Sequence, residues 1–205
     1  MQRRGAQGYV ATTPNHACLA AVVLQLALAA LLVTVATAEP PGSPVAKESL
    51  VLCSQADELS GNDQRAALAR GVRLAEGAIA VDSRDAKAHF ALFCNLGKQV
   101  KVAGLALSSL FKFQRVRREL DATLALTPDD ADGLAAKGAM LLETPRLFGG
   151  DSTAAEGLLR RALEIEPDNA AALRFLAAAL TERGANDEAQ ALQALGVAGQ
   201  VPEAP

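Results

Sequence analysis

Any chemistry in this chain has to start from very few side chains. Among its 205 residues there are two His and three Cys. His16 and Cys18 lie at the start of a long apolar run, which leaves His89, Cys53 and Cys94 for the rest of the chain. His89 and Cys94 are five residues apart, a spacing that does not share one face of a helix. A metal ion is normally held by a cluster of His, Cys or carboxylates, and no such spacing is present. The patterns His-Glu-x-x-His, Cys-x-x-Cys, Gly-x-Ser-x-Gly and the Gly-rich phosphate loop ending in Lys-Ser/Thr are all missing. The expectation is no catalytic residue, no metal and no cofactor. His89 reads as a packing or groove-facing histidine without a partner nearby in sequence.

One loop has the composition of a candidate anion site: ETPRLFGGD, residues 143–151. A Gly-rich stretch opening a helix can cradle a phosphate, but no Lys-Ser/Thr follows and Asp151 would repel an anion. A turn accounts for most of it. Thr144-Pro145 stops the preceding helix, because the residue before Pro is pushed out of the α region. Gly149 and Gly150 supply the backbone of the turn, and Asp151 caps the next helix. Arg146, Leu147 and Phe148 exceed what a turn needs. Leu147 and Phe148 are expected to fold back over the helix ends while Arg146 points out. The alternative is a contact site made by Pro145, Arg146, Gly149, Gly150 and Asp151.

The elements that hold these residues are helical. Half of the residues are hydrophobic and only 3% aromatic, a balance of Ala and Leu that favours close-packed helices. From Lys47 onward apolar residues recur at helical spacing, without strand-like alternation. Three segments align: AIAVDSRDAKAHFAL (78–92), TLALTPDDADGLAAK (123–137) and ALEIEPDNAAALRFL (162–176). Each runs from an apolar helix end, through a polar break, into an Ala-rich helix start. The equivalent positions are Ser83, Pro128 and Pro167, spaced 45 and 39 residues apart. The pattern places each Pro at the first position of the next helix, where its missing N–H costs nothing. Thr127 then serves as cap, with Asp82 or Ser83 in the same role in the first segment.

These segments resemble the tetratricopeptide repeat, a helix-turn-helix unit of about 34 residues. The match is best over 131–169, where Leu134, Gly138, Leu141, Ala155, Leu159, Ala162 and Pro167 fall on the family's packing positions. It continues over 170–196 with Leu173, Leu176, Ala177, Gly184 and Ala189. The resemblance implies an all-α fold, a right-handed α-solenoid of about four antiparallel helix hairpins over residues 47–196. Two departures stand out. Extra residues fall in PRLFGG and in or near 98–118. The extended PRLFGGD loop looks like that of exported repeat proteins related to the T component of TRAP-type transporters. In the family the first helix of each hairpin lines a concave binding face. By register that face holds Lys87, Phe90, Cys94, Ala135, Ala139, Arg174, Ala178 and Glu182. The Lys and Asn clamp that one subclass uses for a partner's C-terminal carboxylate is absent. A small-residue, mildly apolar groove is expected, suited to a peptide, a helix or a small apolar ligand.

The remaining features concern address and partners. Arg3 and Arg4 precede the apolar run 17–35, and Ala36-Thr37-Ala38 follows. This is the layout of a secretory signal peptide cleaved after Ala38, over residues 1–38. Residues 17–38 as an inner-membrane anchor are the alternative. Residues 39–46 form a Pro-rich linker, and 197–205 a flexible tail. The expected location is periplasmic or secreted. There Cys53 and Cys94 could pair, or they could sit apart as small buried hydrophobes. The formal net charge is −3, and both leader arginines count toward it, so the remainder is more acidic still. No basic face for nucleic acid is implied. Lys98, Lys101, Lys112, Arg115, Arg117 and Arg118 form a local basic stretch. It reads as a lengthened repeat helix with a solvated face, or as an element touching anionic lipid or an acidic partner. Membrane contact is expected only through 98–118 or an uncleaved leader. The functional expectation is an exported, non-catalytic scaffold for protein–protein interaction in the cell envelope. The alternative is a ligand-binding or accessory component of a TRAP-type transporter.

Overall fold

The computed structural model describes residues 42–104 and 107–198. The expected leader and cleavage site (residues 1–38) and the expected tail from residue 199 onward lie outside the described residues. The described residues fold into eight α-helices and one 3-10 turn, with no strand among them: α1 Pro44–Gln55, α2 Gly61–Val81, α3 Ala86–Ala103, α4 Leu107–Leu126, α5 Ala131–Glu143, the 3-10 turn Arg146–Phe148, α6 Ser152–Ile165, α7 Ala170–Arg183 and α8 Asn186–Ala198. No helix among them is long and apolar enough to cross a membrane.

Small residues at helical spacing decide which faces pack. α1 buries Ala46, Ser49 and Cys53. α2 buries Leu68, Gly71, Ala75 and Ala78, and α6 buries Ala155, Leu159 and Ala162. An Ala or Gly every third or fourth residue lets the partner helix approach closely, with Leu filling the space between. Consecutive helices pair as α1/α2, α3/α4, α5/α6 and α7/α8, and α1 stacks on α3 as α5 stacks on α7. This is a helical-repeat solenoid of four hairpins. Its stack is uneven. One core gathers Leu134, Leu159, Leu176 and Leu180 from the last two hairpins. Another gathers Ala75, Ala91, Leu92, Leu96 and Val116 from the first two. α3 and α5 do not pack on one another as the other first helices do, and α4 touches α5 only lightly.

The helix starts differ from the expected ones. Pro128 and Pro167 are not the first residues of helices; α5 begins at Ala131 and α7 at Ala170. Each Pro instead sits inside a four-residue turn closed by a backbone bond, Asp130 N–H to Thr127 O at 3.2 Å and Asn169 N–H to Glu166 O at 3.1 Å. Pro favours such a second turn position because its φ is already set. The first break closes the same way, Asp85 N–H to Asp82 O at 3.2 Å, with Ser83 in place of Pro. The caps are therefore Asp85, Asp130 and Asn169, not Asp82, Ser83 or Thr127. Ser43 caps α1 in the same way, so the helix starts inside the expected linker, and Ala46 is fully buried.

The extra residues in 98–118 lengthen helices. α3 has 18 residues against 13 in α5, and α4 has 20 against 14 in α6. The surplus around 145–150 forms the 3-10 turn.

Candidate functional site

The first helices of the hairpins all begin on one pattern: Ser43, Asp85, Asp130 and Asn169 each accept a bond from the N–H three residues on, at Ala46, Ala88, Gly133 and Ala172. A capping oxygen satisfies one of the helix's orphan donors. Asp85, Asp130 and Asn169 are buried, and each cap has a second partner in the preceding hairpin. Asp85 Oδ2 accepts from Ser43 N–H at 3.0 Å. Asp130 Oδ2 accepts from Lys87 Nζ at 3.1 Å. Asn169 Nδ2 donates to Asp132 Oδ1 at 2.8 Å. Lys87 and Asp132 occupy the same place, two residues after their own caps. The result is a polar ladder along one edge of the solenoid, fixing the stagger of successive hairpins. Burial alone would raise the Asp85 carboxyl, but hydrogen bonds from Ser43, Ala88 and Lys87 outweigh it and hold it below its ordinary range.

A second polar node lies inside the first three helices. Ser49 and Asn95 are fully buried. Ser49 Oγ donates to Gly71 O at 2.8 Å, and Asn95 Nδ2 reaches Ser49 O at 3.1 Å and Ala91 O at 2.9 Å. Asn95 Oδ1 has no hydrogen-bond partner. It faces Gly71, where a Cβ would stand 2.1 Å away. A Cα–H of Gly71 therefore points at this oxygen, a weak contact.

Cys53 and Cys94 are joined by a disulfide that ties α1 to α3 across 41 residues of sequence. Cys94 also forms part of the wall of an open groove of about 500 Å³ between the end of the first hairpin, α3 and α7. Its wall includes Phe93, Lys98, Lys101, Val102 and, across from them, Arg174, with Asp57 at the edge. Lys98 Nζ donates to Cys53 O at 2.7 Å and pairs with Asp57 at 2.6 Å. Lys101 stands 3.6 Å from Glu143. Phe90 stacks on Phe93 with centroids 5.7 Å apart, and the Arg174 guanidinium lies 4.6 Å over the Phe175 ring, a cation–π geometry.

The expected concave-face residues divide. Cys94 and Arg174 reach the groove. Phe90 is half-buried against Phe93, and Ala178 and Glu182 are exposed on α7. Lys87 is held by Asp130 in the ladder. Ala135 is fully buried and Ala139 nearly so, so these two offer no surface to a partner; their equivalents on α7, Arg174 and Ala178, are exposed. Lys98 and Lys101 are additions to the expected set, and they follow Cys94 at four and seven residues, the spacing of one helical face. With them the groove carries more positive charge than the small-residue, mildly apolar face expected.

His89 does have a partner, on another helix. Its Nδ1 is 2.7 Å from Glu119 Oε2 on α4 and its Nε2 is 3.1 Å from Ser83 O. Arg115 joins the same carboxylate at 3.7 Å and Glu76 at 2.8 Å. The cluster knits α2, α3 and α4, and the ring stands between two acceptors with no nucleophile in it. Among the described residues no group of three His, Cys, Asp or Glu could hold a metal ion.

The 143–151 loop is closed by its own backbone. Phe148 N–H and Gly150 N–H reach Pro145 O at 2.8 and 3.2 Å, Gly149 N–H reaches Arg146 O at 3.0 Å, and Asp151 N–H reaches Leu141 O at 3.2 Å. Gly149 has φ +92°, which favours glycine. Gly150 is a close approach: a Cβ there would lie 1.7 Å from Thr144 O. Asp151 caps α6 through Thr153 and Ala154 N–H. Leu147 and Phe148 do not fold back over the hairpin; they are 88% and 68% exposed. The N–H groups of Phe148 to Asp151 are satisfied inside this tight turn, and the two side chains are turned outward.

Residues 149–199 match the family described as tetratricopeptide repeat. No curated protein matches the chain.

Proposed function

We propose that this chain, whose residues 149–199 match the tetratricopeptide repeat family and whose helices stack as repeated hairpins, is an exported, non-catalytic scaffold that holds a protein partner in the cell envelope. The observation that carries this reading is the groove between α3 and α7. Phe93, Val102 and the disulfide give it an apolar wall, and that wall carries Lys98, Lys101 and Arg174 against one carboxylate, Asp57, which pairs with Lys98, while Lys101 pairs with Glu143. That mixture suits an extended or helical segment with an apolar anchor beside an acidic residue. Two features support export: the basic, apolar and Ala-Thr-Ala sequence of residues 1–38, and a disulfide, which persists in oxidising compartments. Retention by residues 17–38 as an anchor gives the same envelope location.

A photo-crosslinking residue at Phe93 or Arg174 tests the proposal in intact cells. A discrete protein adduct is expected, and Arg174→Glu with Lys101→Glu should abolish it. Sequencing the mature N-terminus checks export, with Glu39 as the expected first residue. The apolar wall of the groove also favours a second reading, a small apolar ligand bound by an accessory component of a TRAP-type transporter. A co-purifying small molecule in native mass spectrometry, with no adduct from either position, would overturn the scaffold in favour of that second reading.

A further inference from the structure

The 145–150 loop presents Leu147 and Phe148 to solvent on a base closed by its own hydrogen bonds, with two arginines beside them. Arg146 is exposed within the loop. Arg117 of α4 reaches it, its guanidinium 3.9 Å from where a Gly149 Cβ would stand. Neither arginine has an acidic partner among the described residues, in contrast to Arg115, which pairs with Glu76 and Glu119. The nearby acids are engaged: Glu143 with Lys101, and Asp151 with the α6 N–H groups.

We propose that this loop is a contact point for an anionic lipid surface: Leu147 and Phe148 insert at the interface while Arg117 and Arg146 meet lipid phosphates. Three features favour lipid over a protein. The apolar tip is two side chains on a convex turn, far short of the roughly 800 Å² per partner that a stable protein interface buries; a membrane requires no matching pocket. The N–H groups of residues 148 to 151 are all bonded within the loop and the adjoining α5, which lowers the cost of bringing this backbone to the interface. Arginines flanking apolar side chains can keep their heads at the phosphate level while the stems lie along the apolar layer.

The chain has no Trp, so Phe148→Trp in the full chain reports this position alone, whatever residues 17–35 do. The expected result is a blue shift of emission with vesicles containing phosphatidylglycerol, much smaller with pure phosphatidylcholine and weakened by salt. Adding Arg117→Gln and Arg146→Gln should remove more than half of the shift without changing the helical circular dichroism. Emission that stays at its solvent value on both vesicle types overturns the proposal. So does an equal shift on both, or a shift that appears only when soluble envelope proteins are added.

Discussion

Asp85 caps α3 and receives the Ser43 N–H that anchors the start of α1. Asp85→Ala removes both bonds and should cost about 1–3 kcal/mol, read from urea unfolding at neutral pH. The sign of its pH dependence follows from its lowered pKa. A carboxyl held below its unfolded value of 3.8 stabilises fully above that value and loses the contribution as pH falls through the lower folded one. Asp85→Asn should therefore be less stable than the natural chain at neutral pH, and the gap should begin to narrow only as pH falls below about 4. A gap that stays constant down to about pH 2 would show that the charge on Asp85 contributes nothing to it. Two glycines of α2 make a sharper contrast. Gly77 has nothing within 4 Å of a built Cβ, whereas at Gly71 the Cβ would meet Asn95 Oδ1 at 2.1 Å. Gly77→Ala should stabilise by roughly 0.5–1 kcal/mol through helix propensity alone. Gly71→Ala gains the same propensity but overpacks a buried amide, and should destabilise by about 1–3 kcal/mol. Thermal unfolding of the pair separates backbone preference from packing on a single helix.

At the scale of elements, the Cys53–Cys94 bond pins α1 to α3. Removing such a constraint typically costs about 2–4 kcal/mol, and here the loss should be local. The cores containing Leu92 and Leu176 are separate, so reduction should raise amide exchange in α1 to α3 and leave α5 to α7 little changed. Uniform deprotection would contradict that partition. The helical hairpins themselves are legible from spacing, because Ala, Leu and Gly recur with helical period and the breaks repeat. The helix starts are not, because Pro128 and Pro167 are equally at home in a turn and at a helix's first position. The more reliable sign is an Asp, Asn or Ser followed three residues later by a buried Ala or Gly, a pattern that also marks Ser43. His89 and Glu119 are 30 residues apart, so their meeting depends on how α3 lies on α4, which local sequence does not state. Leu147 and Phe148 mislead for a related reason: hydrophobicity says that burial is favourable, but the loop's own bonded backbone leaves no surface near enough to cover them.

For the molecule as a whole, the junction between the second and third hairpins is held differently from the rest. Lys87–Asp130, Lys101–Glu143 and Lys137–Asp121 cross it as ion pairs, and Leu124 at the end of α4 is an apolar side chain from the second hairpin that packs on the later core. Nearest-neighbour coupling sets the cooperativity of a solenoid, so a mostly polar junction should make that coupling depend on its ion pairs. Lys87 is the most telling position, because its side chain is 29% exposed while that of Asp130 is 3% exposed. Lys87→Ala takes the ammonium away from a buried carboxylate that keeps its capping bond to Gly133 N–H, and an uncompensated buried charge is costly. The expected outcome is a urea transition that separates into two steps, each with a smaller m-value than the single transition of the natural chain. Lys137→Ala serves as the control at the same junction. Its partner Asp121 is 57% exposed, so water screens the freed charge and the change should stay within about 1 kcal/mol. If both substitutions broaden the transition equally, the junction is held by its total charge, and the buried cap ladder has no special part in coupling the hairpins.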